Sequence, residues 1–342
     1  MKKMRWDKIH KEYNSIKILG AVVMVFLMLM NTSGAVSFAY ITNFGNNNVS
    51  VIDTTTNKIT ATINLGSTHF PFEVAITPDG KKVYFTNPIN NTVLIINKTK
   101  VNNSINIVSV GVHPRGIDVA PDGKKVYVAN SGDNTVSVID ANTNKVTATV
   151  NVGTNPLGVA VNPAGTKVYV VNHGSNSVSI IDTDTNKITA TIKIEQKPSG
   201  VAVTPDGAKV YVTNSSSSNA PGTVSVINTN TNEVIATVKV WNEPQRVAVD
   251  PNGRKVFVTN FFSQNVSVIN TLTNMVTATV KVGNFPLGVS VDPDGTKVYV
   301  ANAGDATVSV IDTATNTVTN TVHIGKRPVG VAVTPKYKNI YM

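Results

Sequence analysis

The 342-residue chain contains no cysteine. That excludes disulfides, thiol nucleophiles and Cys-based zinc or iron–sulfur sites. It does not fix the compartment, because a large apolar core can serve an exported protein in place of disulfides. Aromatic residues make up 6% and charged residues 15% of the chain, and there are five histidines, His10 and His323 among them. No HExxH, GxSxG, Walker or Gly-rich dinucleotide motif occurs, so the chain carries no signature of a zincin, a serine hydrolase or a nucleotide-binding enzyme. Acidic residues are in deficit, 20 against 30 Lys and Arg, for a formal charge of +10. Six of the basic residues fall in residues 1–17, and the remaining excess is too mild for the footprint of a nucleic-acid binder.

What is present begins with that basic segment. It is followed by the 13-residue apolar run Ile18–Met30 and then by small residues ending at Ala39. A positive start, a short apolar core and a small-residue exit form a secretory signal, and the run falls short of the roughly 20 residues of a membrane span. Residues 1–39 are therefore expected to be a leader, cleaved near Ala35 or Ala39 or retained as an anchor, and the protein is expected outside the cell. Membrane contact is expected only through an uncleaved leader.

Residues 40–342 are repetitive. Pro71, Pro114, Pro156, Pro198, Pro244, Pro286 and Pro328 recur at spacings of 43, 42, 42, 46, 42 and 42. Within Pro286–Arg327 the runs Gly288–Val291, Lys297–Ala301, Thr307–Ile311 and Thr317–Ile324 alternate apolar and polar residues, the period of a β-strand. Pro-Asp-Gly or Pro-Asn-Gly, as at 293–295, is hairpin chemistry between the first two runs. Each copy thus predicts a four-stranded antiparallel meander that must stack on its neighbours to bury its faces. Six full copies are flanked by strands two to four at the N-terminus and a lone first strand after Pro328. Together the two ends complete a seventh sheet, which closes a ring and leaves only short edges. The expected fold is all-β, a seven-bladed β-propeller whose terminal strands share one blade. Asn339–Met342 is left over as a frayed tail or the start of a longer architecture.

Tyr211-Val212-Thr213-Asn214, with the related runs at 78–87 and 121–130, resembles the YVTN-type β-propeller repeat. With its leader, the array looks like the surface-layer and cell-surface propellers of methanogenic archaea. The resemblance implies a non-enzymatic envelope or adhesion module whose partners are other envelope proteins or surface glycans, without a metal or other cofactor. It also extends to lactonase-like propellers, which would imply a channel-mouth metal held by carboxylates such as Glu73 and Asp118, and to a DNA-binding propeller. Fold does not choose among these.

Departures from the repeat mark candidate binding residues. The position of Gly116, Gly158, Gly200, Gly288 and Gly330 becomes Glu73 in one blade and Arg246 in another, and Asp118 replaces an alanine. Arg115, Phe261 and Phe262 join them on the face carrying the loops between strands two and three, as does a longer serine-rich loop over Asn214–Gly222. The opposite face gathers Lys81, Lys82, Lys124, Lys125, Lys167, Lys209, Arg254, Lys255, Lys297, Lys336 and Lys338, interleaved with aspartates, and reads as a solvated basic rim. The Asn that ends each second strand, such as Asn172, is expected to take a left-handed turn conformation. Sequons at Asn48, Asn90, Asn97, Asn102, Asn214 and Asn265 are candidate glycan sites in an exported chain.

Overall fold

The computed structural model describes residues 36–98, 105–215 and 220–336. The leader before residue 36, the sequon at Asn102, residues 216–219 of the serine-rich loop, Lys338 and the tail Asn339–Met342 lie outside the described residues.

The strands form seven four-stranded antiparallel sheets in meander order, arranged as a ring. Blade 1 is shared between the chain ends: Pro328–Val333 is its innermost strand, and Phe38–Asn43, Asn48–Asp53 and Lys58–Asn64 follow outward. Blades 2 to 7 then run in sequence order, with innermost strands Val74–Ile76, Pro114–Val119, Pro156–Val161, Pro198–Val203, Pro244–Val249 and Pro286–Val291. The clasp in blade 1 pairs Ala39 with Val333 and Ile41 with Val331. It is extended by Phe38 N–H donating to Thr334 Oγ1 at 2.9 Å and Thr54 N–H to Ser37 O at 3.1 Å. The ring therefore begins at about Ser37, before the expected boundary at residue 40. Cleavage after Ala35 would leave the clasp whole, whereas cleavage after Ala39 would remove its first residues.

The core lies between blades. Tyr127, Ala129, Val136 and Val138 on one face of blade 3 pack against Val159, Val161, Val168 and Val170 of blade 4, and the same interleaving recurs around the ring. Tyr84, Tyr127, Tyr169, Tyr211 and Tyr299 are fully buried. Truncating an aromatic of that kind to alanine costs roughly 3–5 kcal/mol.

The polar letters of the repeat also have structural uses, and two differ from the sequence reading. The Asn that closes each second strand is not the left-handed residue; Asn47, Asn134, Asn176 and others further along the turns take positive φ instead. Asn172 is buried and donates from Nδ2 to Ser177 Oγ (3.1 Å) and Ser179 Oγ (2.9 Å), tying strand two to strand three. Asn130, Asn214 and Asn302 repeat this bond pair. In five blades the lysine that opens the second strand is not a free rim charge. Lys125 Nζ donates to Thr183 O in the next blade at 2.5 Å, Lys209 to Thr271 O at 2.6 Å, Lys255 to Thr313 O at 2.5 Å and Lys297 to Thr54 O at 2.5 Å; Lys82 makes the equivalent bond to Ala141 O. The inter-blade contact is invisible in one repeat, because the acceptor is a turn carbonyl of the next. The glycines of the first hairpin (Gly80, Gly123, Gly207, Gly253 and Gly295) have φ between 59° and 72°, as the turn chemistry requires.

Candidate functional site at the channel mouth

Three tiers of residues surround the upper end of the central channel. The outermost is the residue before the proline, which in six blades (His113, Asn155, Lys197, Glu243, Phe285 and Arg327) is left-handed with φ between 51° and 55°; blade 2, with Phe70 there, departs from this. Each of the six carbonyls accepts an N–H from the first residue of its own blade's loop between strands two and three, such as Phe261 N–H to Glu243 O at 3.0 Å and Phe44 N–H to Arg327 O at 3.1 Å. The fold imposes this conformation whatever the side chain, so identity is free to vary here. The next tier is the residue after each proline: Phe72, Arg115, Leu157, Ser199, Gln245, Leu287 and Val329. The third is the glycine position, which faces the channel.

Glycine is needed at that third position because the innermost strands crowd together. A Cβ on Gly116 would lie 2.3 Å from Leu157 O, and one on Gly288 2.2 Å from Val329 O. Glu73 and Arg246 are the exceptions, and they meet. Arg246 Nε donates to Glu73 Oε1 at 2.6 Å, joining blades 6 and 2 across the bore. Arg246 Nη1 also reaches Ser199 Oγ at 3.2 Å. Threonines of the repeat hold the pair's backbone. Thr86 Oγ1 accepts from Glu73 N–H (3.0 Å) and donates to Arg115 O (2.9 Å), while Thr259 Oγ1 accepts from Arg246 N–H (3.1 Å) and donates to Leu287 O (2.8 Å). The same ion pair, with Asp118 and the walls Ile117, Val159, Val201 and Val289, lines a channel cavity of about 330 Å³.

Arg115 stacks on the Phe72 ring, with Cζ 4.6 Å from the centroid. Phe72 in turn sits edge-on to Phe44 at 6.2 Å, and Arg327 lies over Phe44 at 5.3 Å. Burial lowers the Arg115 pKa and so does the Arg246 charge, with Glu73 opposing. Asp118 lies on the channel wall apart from this group. Its Oδ2 accepts Val161 N–H and its Oδ1 accepts Val119 N–H, both at 2.8 Å. Burial pushes its pKa up to about 6 against those two bonds. Phe261 and Phe262 form a separate cluster with Phe285 of the next blade; Phe261 and Phe285 stack at 4.9 Å, and Phe262 remains 43% exposed. Glu73, Arg246 and Asp118 thus line one cavity and Arg115 acts electrostatically on the ion pair, while Asp118 bonds only to backbone and the two phenylalanines stand apart. Phe44, Phe72, Ser199 and Gln245 were not singled out by sequence. For Phe72, Ser199 and Gln245 the signal is the variability of the position after the proline; Phe44 lies in the loop after the strand Phe38–Asn43.

The carboxylates suited to a metal are engaged. Glu73 is held by Arg246 and Asp118 by backbone N–H groups, and no group of three or more His, Asp or Glu able to hold a metal occurs among the described residues. These two residues do not fit a metal centre. On the opposite face, charges are locally matched: Lys81 pairs with Asp79 (3.3 Å), Lys124 with Asp122 (3.8 Å) and Lys336 with Asp294 (2.6 Å). Of the sequons, Asn90 is exposed, Asn48 and Asn97 are half-buried, and Asn214 and Asn265 are buried with their side chains bonded inside the blade. Asn214 commits its Nδ2, the atom a glycan would take, to Thr223 and Ser225.

The model of the seven-bladed β-propeller lactonases matches residues 32–152 and 116–193. The matching family is itself a seven-bladed propeller. Among solved structures, the chain is similar to the hydrazine synthase of Kuenenia stuttgartiensis (TM-score 0.71, 20% identity, 78% of this chain and 90% of that one). It is also similar to a protein of unknown function from Desulfotomaculum acetoxidans (0.74, 18%, 87% and 99%). A third match is the dihydro-heme d1 dehydrogenase NirN in complex with DHE (0.63, 13%, 86% and 74%). At these identities the likeness concerns the fold alone. No curated protein sequence matches the chain.

Proposed function

We propose that this protein is an exported, non-enzymatic propeller of the YVTN type, related in role to surface-layer proteins, which presents its channel-mouth face to an envelope protein or a surface glycan. The observation that carries this reading is where the repeat varies. Residues that build blades recur around the ring, whereas the positions flanking each proline hold Phe, Arg, His, Lys, Glu, Gln, Ser and Leu on one face. Clustered, exposed aromatics and cations are the composition of a recognition surface rather than of scaffold. Fractionation of the producing cell with protease shaving tests the reading: surface exposure of the folded chain supports it, and a cytoplasmic location refutes it.

A second reading is lactone hydrolysis, favoured by the match to the lactonase model. The engaged state of Glu73 and Asp118 weighs against a metal-dependent version of it. Hydrolysis of a panel of lactones by the purified protein, with and without added divalent metal, decides between the two; turnover abolished by Glu73→Gln would replace the binding role with an enzymatic one.

A further inference from the structure

We infer that Arg115 is the centre of an oxyanion site at the channel mouth, taking a carboxylate or phosphate group from the rim side. The ring does not need a cation there, because the equivalent position is Leu157, Ser199, Gln245, Leu287 or Val329 in other blades. Yet Arg115 is held firmly, stacked on Phe72 with Nε buried and no hydrogen-bond partner among the described residues. A buried donor left without an acceptor costs about 1–3 kcal/mol, more when charged, and such orphans in native proteins call for an absent ligand or water.

The internal anion that could satisfy it is committed elsewhere. Glu73, the carboxylate acting on Arg115, is bonded to Arg246 at 2.6 Å, so the three groups together carry one uncompensated positive charge. An aromatic face fixes a guanidinium by its plane and leaves N–H edges for a second partner, and the planar fork matches the two oxygens of a carboxylate or phosphate. Arg327, over Phe44 in the same aromatic group, adds an exposed cation at the rim. Aromatic rings beside the anion site also suit a ligand with an apolar face, and a sugar acid meets both demands.

The inference deepens the binding role proposed above, and the two fail separately: a cytoplasmic protein could still bind the anion, and an exported one could lack the site. The test follows the Arg115 Nε–Hε resonance, assigned with Arg115→Lys, in the folded full chain. Glucuronate and inorganic phosphate are titrated at constant ionic strength, with glucose and chloride as controls. A saturable shift with either oxyanion, absent with glucose and chloride, is the expected result; the oxyanion that saturates identifies the ligand source. By calorimetry, affinity should fall at least tenfold in Arg115→Gln and be unchanged in Arg254→Gln on the opposite face. No saturable shift with either anion would overturn the inference, as would equal affinity in Arg115→Gln. The wild-type titration stands even if that variant fails to fold.

Discussion

The crossbar between Glu73 and Arg246 makes a directional prediction. Both side chains are largely buried, 15% and 18% exposed, and removing one partner of such a pair leaves the other charge uncompensated at roughly 3–5 kcal/mol when burial is complete. The residual exposure reduces that to about 2–3 kcal/mol here. The two single truncations are not equivalent, because Arg115 acts electrostatically on both residues. Glu73→Ala leaves Arg246 and Arg115 with no carboxylate between them, whereas Arg246→Ala leaves Glu73 with Arg115 as a substitute partner. Glu73→Ala should therefore be the more destabilising by about 1 kcal/mol, from one like-charge contact in a half-buried site. The double variant removes both charges from positions that are glycine in the other five blades. It should be more stable than Glu73→Ala alone. A double-mutant cycle by urea denaturation should give a coupling energy of about 1–3 kcal/mol. For a ring of about 300 residues, with an unfolding entropy of ~2.1 cal/mol/K per residue, 1 kcal/mol corresponds to about 1.5–2 °C in Tm. A coupling energy within about 0.3 kcal/mol of zero would refute the crossbar. Greater damage from Arg246→Ala than from Glu73→Ala would refute the part assigned to Arg115.

Three further outcomes are expected. Thr213 accepts Gly200 N–H at 2.7 Å and donates to Gln245 O at 3.1 Å, so Thr213→Val should cost about 1–3 kcal/mol by orphaning a buried N–H; chemical denaturation measures it, and a neutral result would mean that the bond between blades is dispensable. Asp118, with its pKa raised to about 6 from 3.8, binds its proton more tightly when folded, so its contribution is full below about pH 4 and is lost as pH rises through 6. Asp118→Asn should remove a downward slope of about 2–3 kcal/mol across that interval, seen as a difference between the two pH–stability profiles; parallel profiles would refute it. Deleting residues from Pro328 onward removes the inner strand of blade 1, and size-exclusion and calorimetry should then report an aggregating chain without a single cooperative transition; a monomer with unchanged Tm would show that the clasp contributes nothing.

Much of the fold was legible because every blade states it again. The prolines gave the period, the Asp-Gly and Asn-Gly turns gave the hairpins, and the complementary half-repeats gave the closure, now seen in the pairing of Ile41 with Val331. The small residues at the channel position were legible for the same reason: a ring of innermost strands leaves no volume for Cβ. What could not be read from one repeat were the contacts between repeats. Lys125 looks like a surface charge until Thr183 O of the next blade is placed beside it. Asn172 looks like a turn residue until two serine hydroxyls of the third strand are found around it. Glu73 and Arg246 lie 173 residues apart, and as isolated departures they resemble drift. Only their opposite charges at one repeat position, on blades that face each other across the bore, hinted at a pair.

The two faces of the ring differ in how their charges are used, and this localises recognition. On the hairpin face, lysines donate to turn carbonyls of the next blade or pair with an adjacent aspartate. A polyanion docking there would have to displace contacts that hold the blades together. Exposed surface pairs contribute little individually, but the lysine–carbonyl bonds recur at several blade boundaries, so stripping them would loosen the ring rather than free a site. On the mouth face the reverse holds. Among the described residues Arg115 and Arg327 stack on aromatic rings and form no direct ion pair, and a stacked guanidinium keeps its hydrogen-bonding edge available. Blades 1 to 3 carry this arrangement, whereas blade 4 presents Asn155 and Leu157 at the same positions. The scaffold is near seven-fold, but its ring-stacked guanidiniums lie to one side, so a ligand that uses them should approach off the axis, over the blade 2 sector.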